Sequence, residues 1–496
     1  MAEKFYITTT LPYVNSDPHI GFALELVQAD VIARYHKLSG DEVILNTGTD
    51  EHGLKIFRKA QEEKRTPQSY VDEYAEKFES LTKALNTSTT NFIRTTDDRH
   101  KKAAQDFWER CFKNEDIYKA KYRIKYCVGC ELEKTESELE NGCCPIHPNL
   151  AIEEIEEENY FFKFSKYKDK LLKFYKENPK FVVPDFRFNE IKRFVKEGLK
   201  DFSISRLASK MPWGVPVPDD PAHVMFVWFD ALINYISTLG WPDDEKIFNE
   251  FWPGVQIAGK DNLRQQSAMW QAMLMSAGLP NSKQILIHGF ITVDGQKISK
   301  SLGNIIDPFH IVKKYGVDPV RYYLLREIPS YEDGDFSVQK LEARYNADLA
   351  NNLGNLVSRV VALVEKFFNG SFAYSRKSVS KEVDEKVINT WRNYNENINS
   401  FKLHLALENV FSLADFANLY VDEHKPWTLG EKPEHLIEVV ANLVVILLNI
   451  AWLLKPFLPE TSDKIFETLG ADKDGKSWEE KPFKVKSEIL FPKSNL

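Results

Sequence analysis

The chain has 496 residues, of which 43% are hydrophobic and 28% charged, and its formal net charge is −8. This composition excludes an intrinsically disordered chain, the length suits about two to four domains, and the acidic balance argues against non-specific DNA binding. No run of eighteen apolar residues or secretion signal is evident and cysteines number only five, so we expect a cytoplasmic protein without membrane spans or a disulfide scaffold.

The N-terminal part alternates strands and helices. Residues 5–8 and 43–45 have the pattern of buried strands, and between them Leu24, Val27 and Val31 recur at the spacing of an amphipathic helix. Further strands are predicted at 91–94, 224–228, 255–258 and 284–287. Strand–helix alternation predicts an α/β fold with a doubly wound, Rossmann-like parallel sheet.

The segment between these strands has a different character, with cysteines, charge runs and short aromatic strands. We interpret 118–222 as an insertion that splits the sheet domain into halves at 1–117 and 223–303. Its tract from Lys163 to Lys200 is dense in Lys and Arg, which suits a transient RNA substrate. Residues 304–345 are interpreted as a linker region, and 346–496 have the pattern of a helical bundle.

The insertion carries a candidate metal site. Cys127 and Cys130 form one CxxC pair, and thirteen residues later Cys144 and His147 form a CxxH pair. This spacing is typical of one closed, tetrahedral zinc site of structural type. Cys143 is an alternative third sulfur, but Cys144 keeps the two-residue spacing. The alternative is that these cysteines are buried or free thiols, which would not require the two-residue spacing.

Two short motifs point to triphosphate chemistry. His19-Ile20-Gly21 stands at the front of the first helix, where backbone N–H groups and an imidazole can meet phosphate. Far downstream, Lys297-Ile-Ser-Lys300-Ser offers two ammonium groups that can neutralise charge on a departing pyrophosphate. Either motif alone is weak, but together they resemble the ATP-binding pair of class I aminoacyl-tRNA synthetases.

Other polar and aromatic residues follow the predicted strands, where an open parallel sheet binds its ligands. They comprise Leu11 and Tyr13, Asp50 and His52, Trp228 and Asp230, Gly259-Lys260-Asp261, and His288-Gly289. A single Asp at a strand end is often only a helix N-cap. Five such clusters predict one site.

With these motifs in place, the chain resembles the bacterial methionyl-tRNA synthetases over essentially its full length. The resemblance implies activation of L-methionine with ATP and Mg²⁺, transfer to tRNA(Met), including initiator tRNA, and one structural zinc. It implies that Asp50 pairs with the substrate ammonium and that other residues form a methionine pocket: Leu11, Tyr13, Trp228, Ala231, Leu232, Tyr235 and Gln266. An apolar, aromatic pocket suits a thioether.

The resemblance also places ATP. His19 and Gly21 would hold phosphates, and Lys297 and Lys300 would stabilise pyrophosphate. The adenosine would lie among Gly259, Lys260, Asp261, His288 and Gly289, with Asp261 on the ribose hydroxyls.

Two positions depart from the family pattern. Phe22 stands where the first motif usually ends in a second histidine, so one phosphate contact is lost. Gln266 stands where many relatives carry histidine, and its amide could bond near sulfur without charge.

In the helical bundle, the resemblance assigns the CAU anticodon to Asn355, Arg359 and Trp427. Asn355 and Arg359 are four residues apart and share one helix face. An exposed polar pair and a helix-packing Trp are the alternative reading.

Rival readings are another class I synthetase, such as a cysteinyl or leucyl type, a small-acid adenylating ligase, and an inactive RNA-binding relative. The methionyl reading is favoured by the zinc knuckle in the insertion, formed by Cys127, Cys130, Cys144 and His147. The helical bundle and the retained Asp50, Lys297 and Lys300 favour it as well. No oligonucleotide-binding appendage follows the bundle, so we expect a monomer.

Overall fold

A computed structural model describes residues 2–130, 132–134, 138–298, 303–373, 376–429, 433–473 and 483–492. The chain divides into two units. The first comprises Met1–Ala29 and His36–His288, and the second comprises Asp30–Tyr35 and Gly289–Leu496.

The first unit is an α/β structure. Its strands are β1 (Lys4–Thr8), β2 (Glu42–Thr49), β3 (Asn91–Arg94), β4 (Ile117–Cys127), β5 (Leu132–Lys134), β6 (Glu153–Phe162), β7 (Val182–Val183), β8 (Phe202–Ser203), β9 (Ser205–Leu207), β10 (Pro216–Val217), β11 (Asp220–Met225), β12 (Val255–Gly259) and β13 (Gln284–His288). Its helices are α1 (Ile20–Leu38, which continues into the second unit), α2 (Leu54–Glu62), α3 (Pro67–Ala84), α4 (Asp98–Lys113), α5 (Lys168–Glu177), α6 (Asp185–Glu197), α7 (Val227–Ala231), α8 (Asn234–Ser237), α9 (Glu245–Phe251) and α10 (Trp270–Ala277).

The central sheet is parallel and has the order β3-β2-β1-β12-β13-β7. Ile7 of β1 is in register with Val255 of β12 on one side and with Leu45 of β2 on the other. The order of the chain therefore reverses between β1 and β12, and a parallel sheet opens a crevice at that point. The predicted Rossmann-like fold class is confirmed.

One strand prediction was only partly right. Residues 224–228 do not form a strand of the central sheet, because β11 pairs antiparallel with β9 and β10 in a separate sheet and Val227–Ala231 is helical. Trp228 and Asp230 therefore lie on a short helix and not at a strand end. A hydrophobic run of this length fits either structure, and periodicity alone does not separate them.

The segment 118–222 forms mainly its own antiparallel sheet, in the order β5-β4-β6-β8, with α5 and α6 beside it in sequence. It also returns one strand to the central sheet, since Val182 pairs with Ile285. The insertion is thus joined to the central sheet through β7 as well as at its ends.

The second unit is largely helical. Its helices are α11 (Pro308–Tyr315), α12 (Val317–Arg326), α13 (Val338–Arg344), α14 (Asn355–Phe368), α15 (Lys381–Asn399), α16 (Leu403–His424), α17 (Pro433–Leu454) and α18 (Pro459–Leu469). Its short strands are β14 (Ile291–Val293), β15 (Gln296–Lys297), β16 (Gly334–Phe336), β17 (Ser371–Phe372) and β18 (Phe483–Lys484).

Helix α17 is long and apolar enough to cross a membrane by length and composition, with a mean hydropathy of 2.3 over its most apolar window. Within the described part of the chain it is the only such helix. Since 72% of that window is buried inside the protein, packing against neighbouring helices accounts for its apolar character.

Candidate functional site

A cavity of about 310 Å³ lies in the first unit, at the ends of β1 and β2 and beside α7. It is lined by all eight residues that the sequence analysis assigned to a methionine pocket: Leu11, Tyr13, Asp50, Trp228, Ala231, Leu232, Tyr235 and Gln266. Asp261 of the predicted adenosine site also lines it. The resemblance thus selected residues that line one cavity, although Leu11 and Trp228 are more than 200 positions apart.

Asp50 enters this cavity from a tightly held segment. Its backbone N–H donates to the carbonyl of Pro12 at 3.0 Å, and its own carbonyl accepts from Val14 N–H at 3.3 Å. The next residue, Glu51, is fully buried and receives Arg94 at 2.7 and 2.9 Å in a bidentate contact. Such paired charge-assisted bonds fix side-chain direction as well as position.

His52 continues the same segment and binds a second buried carboxylate. Its Nδ1 lies 2.6 Å from Asp230 Oδ2, and Nε2 of His100 lies 2.8 Å from the other oxygen. Burial would raise the pKa of Asp230, but the two imidazoles lower it to about 2. Asp230 is therefore ionised and accepts both bonds.

Gln266 lies in a short π-helical turn, Gln265–Met269, and its amide is oriented by two neighbours. Its Nε2 donates to the Tyr235 hydroxyl at 2.6 Å, and its Oε1 accepts from Gln256 Nε2 at 3.2 Å. Since the Tyr235 oxygen accepts here, its own proton can be donated to a further acceptor. A neutral amide thus stands beside the Tyr235 hydroxyl.

Glu25 was not found by sequence reasoning, yet it joins two predicted regions. Its Oε1 accepts from both the backbone N–H and the hydroxyl of Thr10 at 2.6 Å, and its Oε2 lies 2.8 Å from His288 Nε2. Glu25 is only 4% exposed. An acidic residue on the buried face of α1 was the signal that could have marked it.

His19 stands just before α1, and its Nδ1 accepts the backbone N–H of Gly21 at 3.1 Å. In the neutral ring the proton is then on Nε2, which makes that atom a donor. Burial lowers the pKa of His19, which favours this neutral form. The geometry supplies one N–H donor at a helix N-terminus.

Phe22 has a packing role in place of a second imidazole. Its ring meets Phe78 of α3 edge-on, with centroids 5.3 Å apart, and joins an apolar cluster around Val14 and Tyr70. Phe22, which departs from the family motif, therefore lies in apolar and aromatic surroundings that suit its side chain.

The lysine motif begins in the second unit. Lys297 ends β15, which pairs with β14 across a tight turn in which Asp294 and Gly295 have φ of 49° and 75°. Lys300 lies outside the described residues. Gly289 also belongs to this unit, and a Cβ there would lie 2.1 Å from the carbonyl oxygen of Glu332, so close backbone packing requires glycine.

The candidate metal ligands come together. The ligand atoms of Cys127, Cys130, Cys144 and His147 all lie within 4.8 Å of one another. Cys130 Sγ is 3.5 Å from Cys144 Sγ and 3.2 Å from His147 Nδ1. A tetrahedral zinc with bonds of about 2.3 Å separates its sulfur ligands by about 3.7 Å, so the group fits one zinc ion.

Gly129 permits this arrangement, because a Cβ there would lie 2.5 Å from the His147 ring. Cys143, the alternative sulfur, is not part of the group. The candidate metal site also borders the cavity. Cys130, His147 and Ile146 line it.

The three predicted anticodon residues lie in the second unit. Asn355 begins α14 and is exposed, and Trp427, 46% exposed, lies in the short turn Pro426–Thr428 after α16. Arg359 forms an ion pair with Asp422 of α16. This ion pair brings Arg359 to the C-terminal end of α16, because Asp422 stands only five residues before Trp427.

Comparison with known proteins agrees with this geometry. The family model for tRNA synthetases class I (M) matches residues 5–151 and 133–361, and that for the anticodon-binding domain of tRNA ligase matches 380–493. A methionine–tRNA ligase of Thermotoga maritima is 45% identical over 99% of this chain and 79% of its own length. A Rickettsia bellii relative with the same name is 42% identical, over 95% and 94%.

Solved structures are similar as well. The Mycobacterium tuberculosis methionyl-tRNA synthetase in complex with methionyl-adenylate superposes with a TM-score of 0.93 at 36% identity, covering 99% of this chain and 100% of that one. Its free form gives a TM-score of 0.87 at 32% identity, over 100% and 99%. On sequence, fold and site geometry together, the chain belongs to the class I methionyl-tRNA synthetases.

Proposed function

We propose that this methionine–tRNA ligase makes methionyl-adenylate in the cavity beside α7 and passes the methionine to the 3′ end of tRNA(Met), initiator and elongator alike. The observation that carries the proposal is the convergence of Asp50, Trp228, Tyr235 and Gln266 on one cavity. The cavity combines apolar and aromatic walls with the carboxylate of Asp50, as an amino acid with an apolar side chain requires.

Asp50 is the partner of the substrate ammonium. Glu51 and His52 act as positioning residues, since their bonds to Arg94 and Asp230 leave Asp50 as the carboxylate of this segment that lines the cavity. A charge-assisted bond at this place selects a free amine.

Tyr235 and Gln266 recognise the thioether. The hydroxyl of Tyr235 accepts from Gln266 and can donate its own proton to the weakly accepting sulfur. The indole of Trp228 and the apolar Ala231 and Leu232 complete a soft, polarisable surround for the methyl and sulfur.

ATP phosphates meet the Nε2–H of His19 and the backbone at Gly21. Asp261 holds the ribose, with Gly259, Lys260, His288 and Gly289 around the adenosine. Glu25 positions His288 through its 2.8 Å contact. Magnesium accompanies ATP and neutralises phosphate charge.

Catalysis then requires positioning and charge neutralisation rather than a protein nucleophile. A methionine carboxylate oxygen forms a bond to the α-phosphorus, and the bond to pyrophosphate breaks as Lys297 and Lys300 stabilise its charge. In the second step the terminal ribose hydroxyl attacks the carbonyl carbon, AMP departs with the electron pair, and the hydroxyl proton passes to its phosphate.

The knuckle residues Cys127, Cys130, Cys144 and His147 hold one structural zinc. With all four ligand positions filled by protein, a bound zinc would be structural and would hold together the wall formed by Cys130, Ile146 and His147.

The helical unit reads the anticodon through Asn355, Arg359 and Trp427. Stacking on an exposed indole and hydrogen bonds to base edges are how proteins recognise single-stranded bases. We further propose that the enzyme works in the cytoplasm as a monomer.

Amino-acid-dependent exchange of pyrophosphate into ATP tests the proposal. Exchange with methionine alone is expected. Exchange with cysteine, leucine or a small acid in place of methionine would favour one of the rival enzymes. The absence of exchange with any amino acid would favour an inactive RNA-binding relative.

A further inference from the structure

A series of buried polar side chains extends inward from the methionine cavity. It begins with Tyr235 and Gln266, which line the cavity, and continues through Gln256, Ser282 and Gln271, which do not. We call these five residues the amide relay. All of their side chains are at most 3% exposed. The proposed adenylation step gives the three inner residues no role, although buried polar groups are costly unless each has a hydrogen-bond partner.

The inner end of the relay is oriented by the backbone. Gln271 Oε1 accepts from the backbone N–H of Ser282 at 3.1 Å, and Gln271 Nε2 donates to the backbone carbonyl of Gln266 at 2.8 Å. Because a backbone N–H can only donate and a carbonyl can only accept, the Gln271 amide can point only one way. Asn281 Nδ2 supports this orientation with a further bond to Gln271 Oε1 at 3.1 Å.

This orientation determines the direction of the remaining bonds. Gln271 Nε2 also donates to the Ser282 hydroxyl at 3.1 Å, which leaves the proton of that hydroxyl for Gln256 Oε1, 2.5 Å away. Gln256 then turns its Nε2 toward Gln266 and donates to Gln266 Oε1 at 3.2 Å. Gln266 can therefore offer only its Nε2 to the Tyr235 oxygen, at 2.6 Å.

The Tyr235 hydroxyl is left with a proton to donate into the cavity. Burial raises the pKa of Tyr235, so the phenol keeps this proton. A thioether sulfur is a weak acceptor and has no proton of its own, so it can bond only to a hydroxyl that is oriented as a donor. If the Gln266 amide were reversed, its Oε1 would accept the Tyr235 proton and the sulfur would have no donor.

We propose that Gln256, Ser282 and Gln271 are positioning residues that fix the Gln266 amide, so that the Tyr235 hydroxyl donates to the substrate thioether. The relay thereby favours methionine over norleucine, which has a methylene in place of the sulfur and accepts no hydrogen bond there. This inference rests on the proposed function, because it concerns the same cavity.

The test measures pyrophosphate exchange with methionine and with norleucine in Gln256→Met and Ser282→Ala of the full-length enzyme. Gln256→Met nearly keeps the side-chain length and removes the donor to Gln266, and Ser282→Ala removes a single oxygen. We expect the ratio of kcat/KM for methionine to that for norleucine to fall about two- to tenfold, the range for one neutral hydrogen bond. The fall should come from a higher KM for methionine, whereas the values for norleucine should stay those of the parent.

Gln284→Met on β13 and Ser276→Ala on α10 are matched controls. Gln284 donates to the carbonyl of Lys180 and the Ser276 hydroxyl donates to Asp116, so both changes remove a polar group of the first unit outside the relay. Both should keep the ratio of the parent. A purely structural role of the relay would lower exchange with methionine and norleucine alike. An unchanged ratio in both relay variants therefore overturns the proposal.

A double-mutant cycle tests whether the relay acts through Tyr235. Tyr235→Phe removes the hydroxyl and should lower the ratio by a similar factor. Adding Gln256→Met to Tyr235→Phe should then change the ratio by less than about twofold, since the proton that the relay orients is already absent. Losses that multiply in the double variant would show that Gln256 acts independently of Tyr235 and would overturn the proposal. Absence of methionine exchange in the parent enzyme would instead refute the proposed function.

Discussion

His52 and Asp230 are held together in the interior of the first unit, with Nδ1 of His52 2.6 Å from Oδ2 of Asp230. The carboxylate is fully buried, and its other oxygen receives His100 at 2.8 Å. Because His52 follows Asp50 by two residues, this contact fixes the segment that presents Asp50 to the methionine cavity. It also ties that segment to α7, which carries Trp228.

Replacing Asp230 by Asn should lower the free energy of unfolding at pH 7 by about 1.5–3 kcal/mol, since hydrogen bonds to a buried charge are lost. Burial alone would raise the pKa of Asp230, but His52 and His100 lower it from 3.8 to about 2. The stabilisation is therefore complete above pH 3.8 and is lost as the pH falls towards 2. Urea unfolding should show that the difference in free energy of unfolding between parent and variant becomes smaller as the pH falls through this interval. A difference that grows on acidification would contradict this prediction. Asp243→Asn, in an exposed ion pair with Lys102, is the control and should change stability little.

Asp50→Asn should raise the methionine concentration needed for pyrophosphate exchange about ten- to a hundredfold, because a charge-assisted contact of about 1.5–3 kcal/mol is lost. The KM for ATP should change little, and thermal unfolding should match that of the parent. If the variant exchanged pyrophosphate as fast as the parent at low methionine concentration, Asp50 would not be the partner of the substrate ammonium.

Lys300→Ala should slow adenylate formation while methionine binding is retained, because charge builds on pyrophosphate only as the P–O bond breaks. Removing one group that stabilises developing charge typically costs about a hundred- to a thousandfold in rate. Lys297→Ala should act in the same direction, and Lys313→Ala on α11 serves as the control. Rapid-quench measurement of adenylate separates the rate from affinity, and an equal loss in both would indicate a binding or folding role.

Cys127→Ser should lose or greatly weaken the single zinc, measured as metal per chain by mass spectrometry. Cys143→Ser, adjacent to the ligand group but not part of it, should keep the metal. Because Cys130 and His147 line the methionine cavity, loss of zinc should also raise the KM for methionine. Full metal content in Cys127→Ser would refute the ligand set.

Trp427→Ala should impair charging of tRNA far more than methionine-dependent exchange. Loss of one stacked base is worth about 1–3 kcal/mol, so discrimination between parent tRNA and a tRNA with an altered anticodon should fall at least about fivefold. Asn355→Ala and Arg359→Ala should act alike, whereas Ile388→Ala, also exposed in the helical unit, should not. If all three variants keep the selectivity of the parent, the helical unit is a scaffold only.

The sequence by itself determined the fold class and brought together the four candidate metal ligands, whereas the methionine-pocket residues came from the family resemblance. Strand–helix alternation indicated the parallel sheet, and two-residue spacing selected Cys127, Cys130, Cys144 and His147. These signals are local, since a strand, a helix start or a knuckle is encoded within a few consecutive residues. Even so, the prediction for 224–228 was only partly right, because Val224 and Met225 lie in a strand outside the central sheet and the helix begins at Val227.

Only the tertiary structure decided which side chains support the site. Glu25 meets His288, and Asp230 meets both His52 and His100, across separations of 263, 178 and 130 residues. No local pattern encodes such a pairing, because each partner depends on how distant strands and helices pack. The same holds for Phe22, whose role follows from the nearby ring of Phe78. Local motifs can thus be recognised from consecutive residues, whereas the contacts that orient their side chains depend on how the whole fold packs.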